Sequence, residues 1–228
     1  MSTRTAAVCA AMALALGSVA ACTPGATTTD EQSYQISEQI NALVVDGRAA
    51  AVTIDTGDGP VTVTEVYHYR DDRPATTHQV DGSTLKLTDT GCRNDNLRCD
   101  VEFRIRVPSP TTATVTAQAG AVKVTGLSGN VTVTTDAGAV EANALTGEQV
   151  AVTTQAGATS LQFATAPKMV KVATQVGAVQ VRLPTGTAYA VDVDTNVGGS
   201  DVSVQRDAAS AHKVQVKTEV GAVKVENT

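Results

Sequence analysis

In the second half of the chain, hydrophobic and polar positions alternate, and the alternation changes phase at six glycines: Gly120, Gly138, Gly157, Gly177, Gly198 and Gly221. Seven residues before them stand Ala113, Val131, Val150, Val170, Val191 and Val214, and five before stand Val115, Val133, Val152, Val172, Val193 and Val216. Three before come Ala117, Thr135, Thr154, Thr174, Thr195 and Thr218, and one before come Ala119, Ala137, Ala156, Val176, Val197 and Val220. Period-two alternation in β-branched residues predicts a strand with one face buried, these four columns pointing inward. Beyond each glycine the hydrophobic residues move to even offsets, as at Val122 and Val124 or Val179 and Val181. A one-residue slip would turn a strand inside out, so the backbone must bend at the glycine.

The glycines are spaced by 18, 19, 20, 21 and 23 residues. Repetition at that period predicts stacked coils of strand, corner, strand and turn, each burying its valines on its neighbours. Residues 52–63 read as a degenerate seventh copy around Gly59, with Val52, Ile54 and Thr56 before it and Val61 and Val63 after it. The 61 residues between Gly59 and Gly120 have room for three coils, one of them carrying a cysteine insertion. The expected fold is therefore all-β, a single-chain β-solenoid or β-helix of about 20-residue coils, with a β-sandwich as the alternative arrangement of such strands. Degenerate repeats occupy residues 38–110, with Val107-Pro108-Ser109-Pro110 as a seam, and regular repeats occupy residues 111–228.

Aromatic residues are 3% of the chain and Trp is absent, so the core must be built from Val, Ala, Thr and Leu. The only apolar run of another kind is residues 5–21 behind Arg4, short enough for a secretory leader over residues 1–21. It ends in Val19-Ala20-Ala21-Cys22, which resembles the bacterial lipobox. That resemblance implies cleavage before Cys22, acyl chains on it, and attachment to the outer side of the cell membrane. Residues 22–37, small and polar, read as the lipidated cysteine and a flexible tether. Loss of Arg4 would leave one fewer than the 17 basic side chains against 23 acidic ones, a balance that disfavours nucleic acid. Cys92 and Cys99, isolated in an exported chain, are expected to close a disulfide across a loop; zinc is the rival, at an unsuitable spacing and with no nearby His.

Reaction chemistry is scarce. Asp55-Thr56-Gly57 and Asp89-Thr90-Gly91 imitate the aspartic-protease signature but are too close in sequence for one per lobe, and Asp-x-Gly at a strand end is ordinary turn chemistry. His68, His78 and His212 are scattered, and there is no nucleophile elbow or phosphate loop. The expectation is a chain without catalytic residues, metal or cofactor. One outward column does stand out: Gln118, Asp136, Gln155, Gln175, Asn196 and Glu219, each two residues before a glycine, would stack as a polar ladder. It reads either as a solvated face or as a groove for an extended glycan or peptide; sugar stacking would have to use Tyr67, Tyr69 or Tyr189. The last repeat ends at Val225, which predicts an unpaired edge at the C-terminal coil, open to a partner or a second copy, with Lys217, Glu219 and Lys224 available to guard it.

Leu43-x-Val45, Val52-x-Ile54 before Gly59, the Val107-Pro108 seam and the serial Thr-x-small-Gly-small-Val units together resemble a family of exported bacterial β-strand-repeat proteins, the putative-adhesin family, over residues 40–228. The resemblance implies an extracytoplasmic location and no catalytic residues. The expected function is a non-enzymatic, lipid-anchored surface scaffold for an envelope polymer or protein. The alternatives are a regulatory envelope protein that binds a membrane partner and, more remotely, a polysaccharide-cleaving β-helix enzyme.

Overall fold

The computed structural model describes residues 27–92 and 99–228, so the leader and Cys22 lie outside the described residues. Its strands are β1 (Thr28–Ile36), β2 (Ala42–Thr56), β3 (Val61–Tyr69), β4 (Thr76–Asp81), β5 (Thr84–Asp89), β6 (Cys99–Val107), β7 (Thr112–Ala119), β8 (Val122–Thr125) and β9 (Val131–Ala137). They continue as β10 (Val140–Leu145), β11 (Gln149–Ala156), β12 (Thr159–Phe163), β13 (Met169–Val176), β14 (Val179–Leu183), β15 (Ala190–Val197), β16 (Ser200–Val202), β17 (Lys213–Val220) and β18 (Val223–Asn227). Among the described residues there is no helix.

The regular coils pair in parallel and in register. Val150 lies between Val131 and Val170, and Val152 between Val133 and Val172; after the corner, Leu161 lies between Ala142 and Val181. Parallel in-register stacking makes this a β-solenoid rather than a sandwich of antiparallel hairpins. The residues before the corners build one sheet and those after build a second, and a single core of valine and leucine columns joins them. Each buried valine contributes about 1.5–3 kcal/mol at most, so a coil is stable only within the stack.

The corner itself requires glycine because neighbouring backbones touch there. A Cβ on Gly138 would lie 1.9 Å from the Gly120 carbonyl oxygen, and one on Gly157 2.0 Å from that of Gly138. The stacked corners are also hydrogen-bonded: Gly138 N–H donates to Ala156 O and Gly157 N–H to Val176 O, both at 2.9 Å. The phase change comes earlier than the sequence pattern suggests. Thr135, Thr154, Thr174 and Thr218, three residues before their glycines, are buried, but the column one before the glycine, expected inward, points out: Val176, Val220 and Val197 are 53%, 45% and 61% exposed. The chain slips phase between these two positions, where the ladder pairing skips a residue.

Three features of the N-terminal third differ from the regular pattern. Residues 28–36, expected within a tether, form strand β1, which pairs antiparallel with β3. The corner equivalent to Gly120 is at Ala50, since Leu43 and Val45 align with Ala113 and Val115 and Val52 and Ile54 with Val122 and Val124. Gly59 lies instead in the turn between β2 and β3. Between Gly59 and Gly120 there is one coil rather than three: β5 and β6 flank the two halves of β2, and β1, β3 and β4 close that end in antiparallel pairs. Cys92 and Cys99 are joined by a disulfide across the β5–β6 connection.

At the other end the coils are out of chain order. β17 pairs with both β13 and β15, and β18 with both β14 and β16. The last coil in sequence is therefore interior, with Val214 fully buried, and the exposed edge belongs to β15 and β16 rather than to the C-terminal coil. Residues 184–189 step over one rung and residues 203–212 return to fill it. Buried Tyr189 fastens this crossing: its hydroxyl donates to Pro184 O at 3.0 Å and its N–H to Gln205 O at 2.9 Å.

Candidate functional site

Corner geometry places the predicted ladder. Gln118, Asp136, Gln155, Gln175, Glu219 and Asn196 are all exposed, and the registers of the residues beside them stack them in that order, with Glu219 before Asn196. Gln155 Nε2 donates to Asp136 Oδ1 at 2.6 Å, so these two adjacent rungs bond along the stack. Beside this row runs the unexpected outward column, from Ala119, Ala137 and Ala156 to Val176, Val220 and Val197. The ladder is therefore one half of an amphipathic strip whose apolar half becomes larger toward the β15 end. Gln155, Gln175 and Glu219, with Thr153, Ala173 and Lys217, line a shallow hollow of 210 Å³.

The opposite end of the stack holds a polar cluster that sequence reasoning missed. On β3 the inward positions are Val61, Val63, Glu65 and Tyr67, so a carboxylate occupies a core place and is only 2% exposed. Tyr34 of β1 donates to Glu65 Oε1 at 2.5 Å, while Tyr67 and Thr76 donate to Oε2, Thr76 at 2.6 Å. Burial first, then the bond to Glu65, pushes the Tyr67 phenol up to about 12 and that of Tyr34 higher still. Both therefore act as donors. The His78 ring stacks on Tyr34 with centroids 4.5 Å apart. The Arg73 guanidinium sits 3.8 Å from the Tyr67 ring centroid and is held by Asp30 at 3.3 Å and Gln32 at 3.3 Å. All of these groups except Asp30 line a cavity of 330 Å³ between the ends of the two sheets. The signal was a charged residue in hydrophobic phase, together with three of the four tyrosines falling before residue 70.

The two Asp-Thr-Gly motifs do not form a shared carboxylate site. Asp89 is buried and accepts from Gly91 N–H at 2.7 Å and Ala49 N–H at 3.3 Å, which is turn and corner capping. Asp55 lies exposed on the other sheet, paired in register with Arg106.

A family model described as Toastrack DUF4097 matches residues 44–228. Among solved structures, a putative cell adhesion protein from Clostridium sporogenes is similar at a TM-score of 0.56 and 13% identity, with 88% of this chain and 100% of that one covered. A putative adhesin from Bacteroides fragilis is similar at a TM-score of 0.43 and 13% identity, covering 88% and 97%. No curated protein matches the chain.

Proposed function

The chain belongs to the Toastrack DUF4097 family, and from that premise we propose that it is a non-enzymatic, lipid-anchored surface protein whose corner strip binds an extended envelope polymer or protein. The amphipathic strip carries this reading: six amide or carboxylate side chains beside six exposed Ala and Val residues, repeating at the strand spacing of about 4.8 Å. A ligand that itself repeats along one axis meets the same pair of groups at every rung. The Clostridium sporogenes neighbour, described as an adhesion protein, shares the fold and fits an extracytoplasmic role.

Co-sedimentation of the protein with purified cell wall tests the reading. Replacing Gln155, Gln175 and Glu219 together by Ala should lower binding about tenfold, a loss expected when several central contacts of a recognition surface are removed. Unchanged pelleting would sink it. Cys22→Ser should release the protein from the membrane fraction if the anchor reading holds. A second reading, a membrane partner docking on an edge, now points to β15 and β16. Asp192, Asp194 and Asp201 populate that edge, so it favours a basic strand over a second copy of itself.

A further inference from the structure

We propose that the cavity between β1, β3 and β4 is a binding site for a small organic cation, an ammonium or guanidinium group, and that Arg73 is its internal occupant. The two sheets of the solenoid end here, and the layer that would continue the core is polar instead: Tyr34, Glu65, Tyr67, Thr76 and His78. Glu65 receives three hydroxyl donors, but among the described residues no ion pair reaches it. A buried carboxylate with no ion pair of its own favours a cation in the 330 Å³ cavity beside it, the place the Arg73 guanidinium now takes.

The aromatic faces add to that potential, because ring quadrupoles attract cations. Arg73 demonstrates the preference by laying its guanidinium over Tyr67. It is the one Lys or Arg lining the cavity among the described residues. It arrives on the exposed loop between β3 and β4, with its side chain 40% exposed. A surface side chain on a loop can swing away, and the space it leaves keeps Glu65, Asp30 and Tyr67 as recognition groups. A neutral polyol would gain hydrogen bonds but no charge pairing, so selection runs toward the cation. The site lies beyond the β7 end of the corner strip and shares no residue with it, so it stands or falls independently of that strip.

The test is titration of the full chain, purified in neutral detergent and labelled at its tyrosine rings for NMR. The probes are tetramethylammonium and methylguanidinium, with glycerol and potassium chloride as controls. Saturable shifts confined to Tyr34 and Tyr67, produced by either organic cation and by neither control, are expected. Arg73→Ala should tighten the affinity several-fold, because the internal competitor is gone, and Glu65→Gln should weaken it about tenfold. Arg73 is exposed, so its variant stays informative if Glu65→Gln does not fold. No saturable shift with either cation, an equal response to glycerol, or weaker binding in Arg73→Ala would overturn the proposal. Vesicles of phosphatidylethanolamine set against vesicles of phosphatidylglycerol then separate a lipid headgroup from a soluble amine as the source.

Discussion

The regular coils from β7 onward and the end formed by β1 to β6 solve the same problem with opposite means. Both must fill the space between two sheets. The coils do it by repetition: small and branched apolar residues stack in register, and each corner glycine after Gly120 rests on a glycine carbonyl. An interior rung of such a column has little freedom, because a change there meets a near-identical backbone on both sides. The N-terminal end has neighbours on one side only, so it can hold an alanine corner, antiparallel strands, a disulfide loop and a buried carboxylate. Ala50 shows the distinction. Gly120 stacks on its carbonyl with a φ of +136°, whereas Ala50 itself lies outside the left-handed region and can carry a methyl.

The sharpest break of this comparison is Gly157→Ala set against Ala50→Gly. The first places a methyl 2.0 Å from Gly138 O and should destabilise by about 4 kcal/mol or more, while the second should cost about 1 kcal/mol. Urea denaturation of both variants checks the contrast, and similar losses would show that the corners are equivalent. At the other end, Tyr34→Phe removes the donor to Glu65 Oε1 and should cost about 2 kcal/mol by leaving a buried oxygen bare. A variant as stable as the parent would mean that solvent already serves that oxygen.

The tyrosines also predict a dependence on pH. Their folded-state values lie above the ordinary value near 10, so the protonated form is favoured in the fold. Their contribution is whole below pH about 10 and is lost as the pH rises through about 12, the position for Tyr67. Phenolate absorbance should show Tyr34, Tyr67 and Tyr189, whose phenol burial also raises, titrating above the ordinary range, and Tyr34→Phe should remove one of them.

The smallest effect has the opposite sign. Thr154 belongs to a buried column, with Thr135, Thr174 and Thr218, whose hydroxyls have no partner. At the terminal coil Thr195 Oγ1 donates to Gly221 O at 3.3 Å, the bond the others lack. Thr154→Val keeps the shape and removes the bare hydroxyl, and should raise stability by about 1 kcal/mol. Destabilisation would show that these hydroxyls hold the glycine carbonyls.

Much of the coil was legible because its physics is local. Alternation, the glycine phase change and the turn residues each lie within one repeat, and the Cys92–Cys99 pair needed only its isolation. Misreadings arose where a residue's role depends on another rung. Val52 and Ile54 fit the offsets before Gly59, yet the strand they belong to bends at Ala50, and only the pairing with Val122 and Val124 reveals it. The outward turn of Val176, Val197 and Val220 follows from a slip in pairing that no single strand displays. The cluster at Glu65 was visible only as a charge in hydrophobic phase, since Tyr34 and Thr76 reach it from other strands.

The sequence by itself determined the unit: a strand–glycine–strand coil, three of the four columns it placed inward before the corner, and a polar row two residues before each corner glycine. Only the tertiary structure decided the order of the units, the end that stays open and what fills it. Every coil carries the same offsets, so the repeat is blind to which copy stacks on which. The longer spacings at 21 and 23 residues become meaningful only once β17 is seen between β13 and β15. Identical surfaces pair equally well in any order; chain length in the crossings and the burial gained by the inserted coil choose among them.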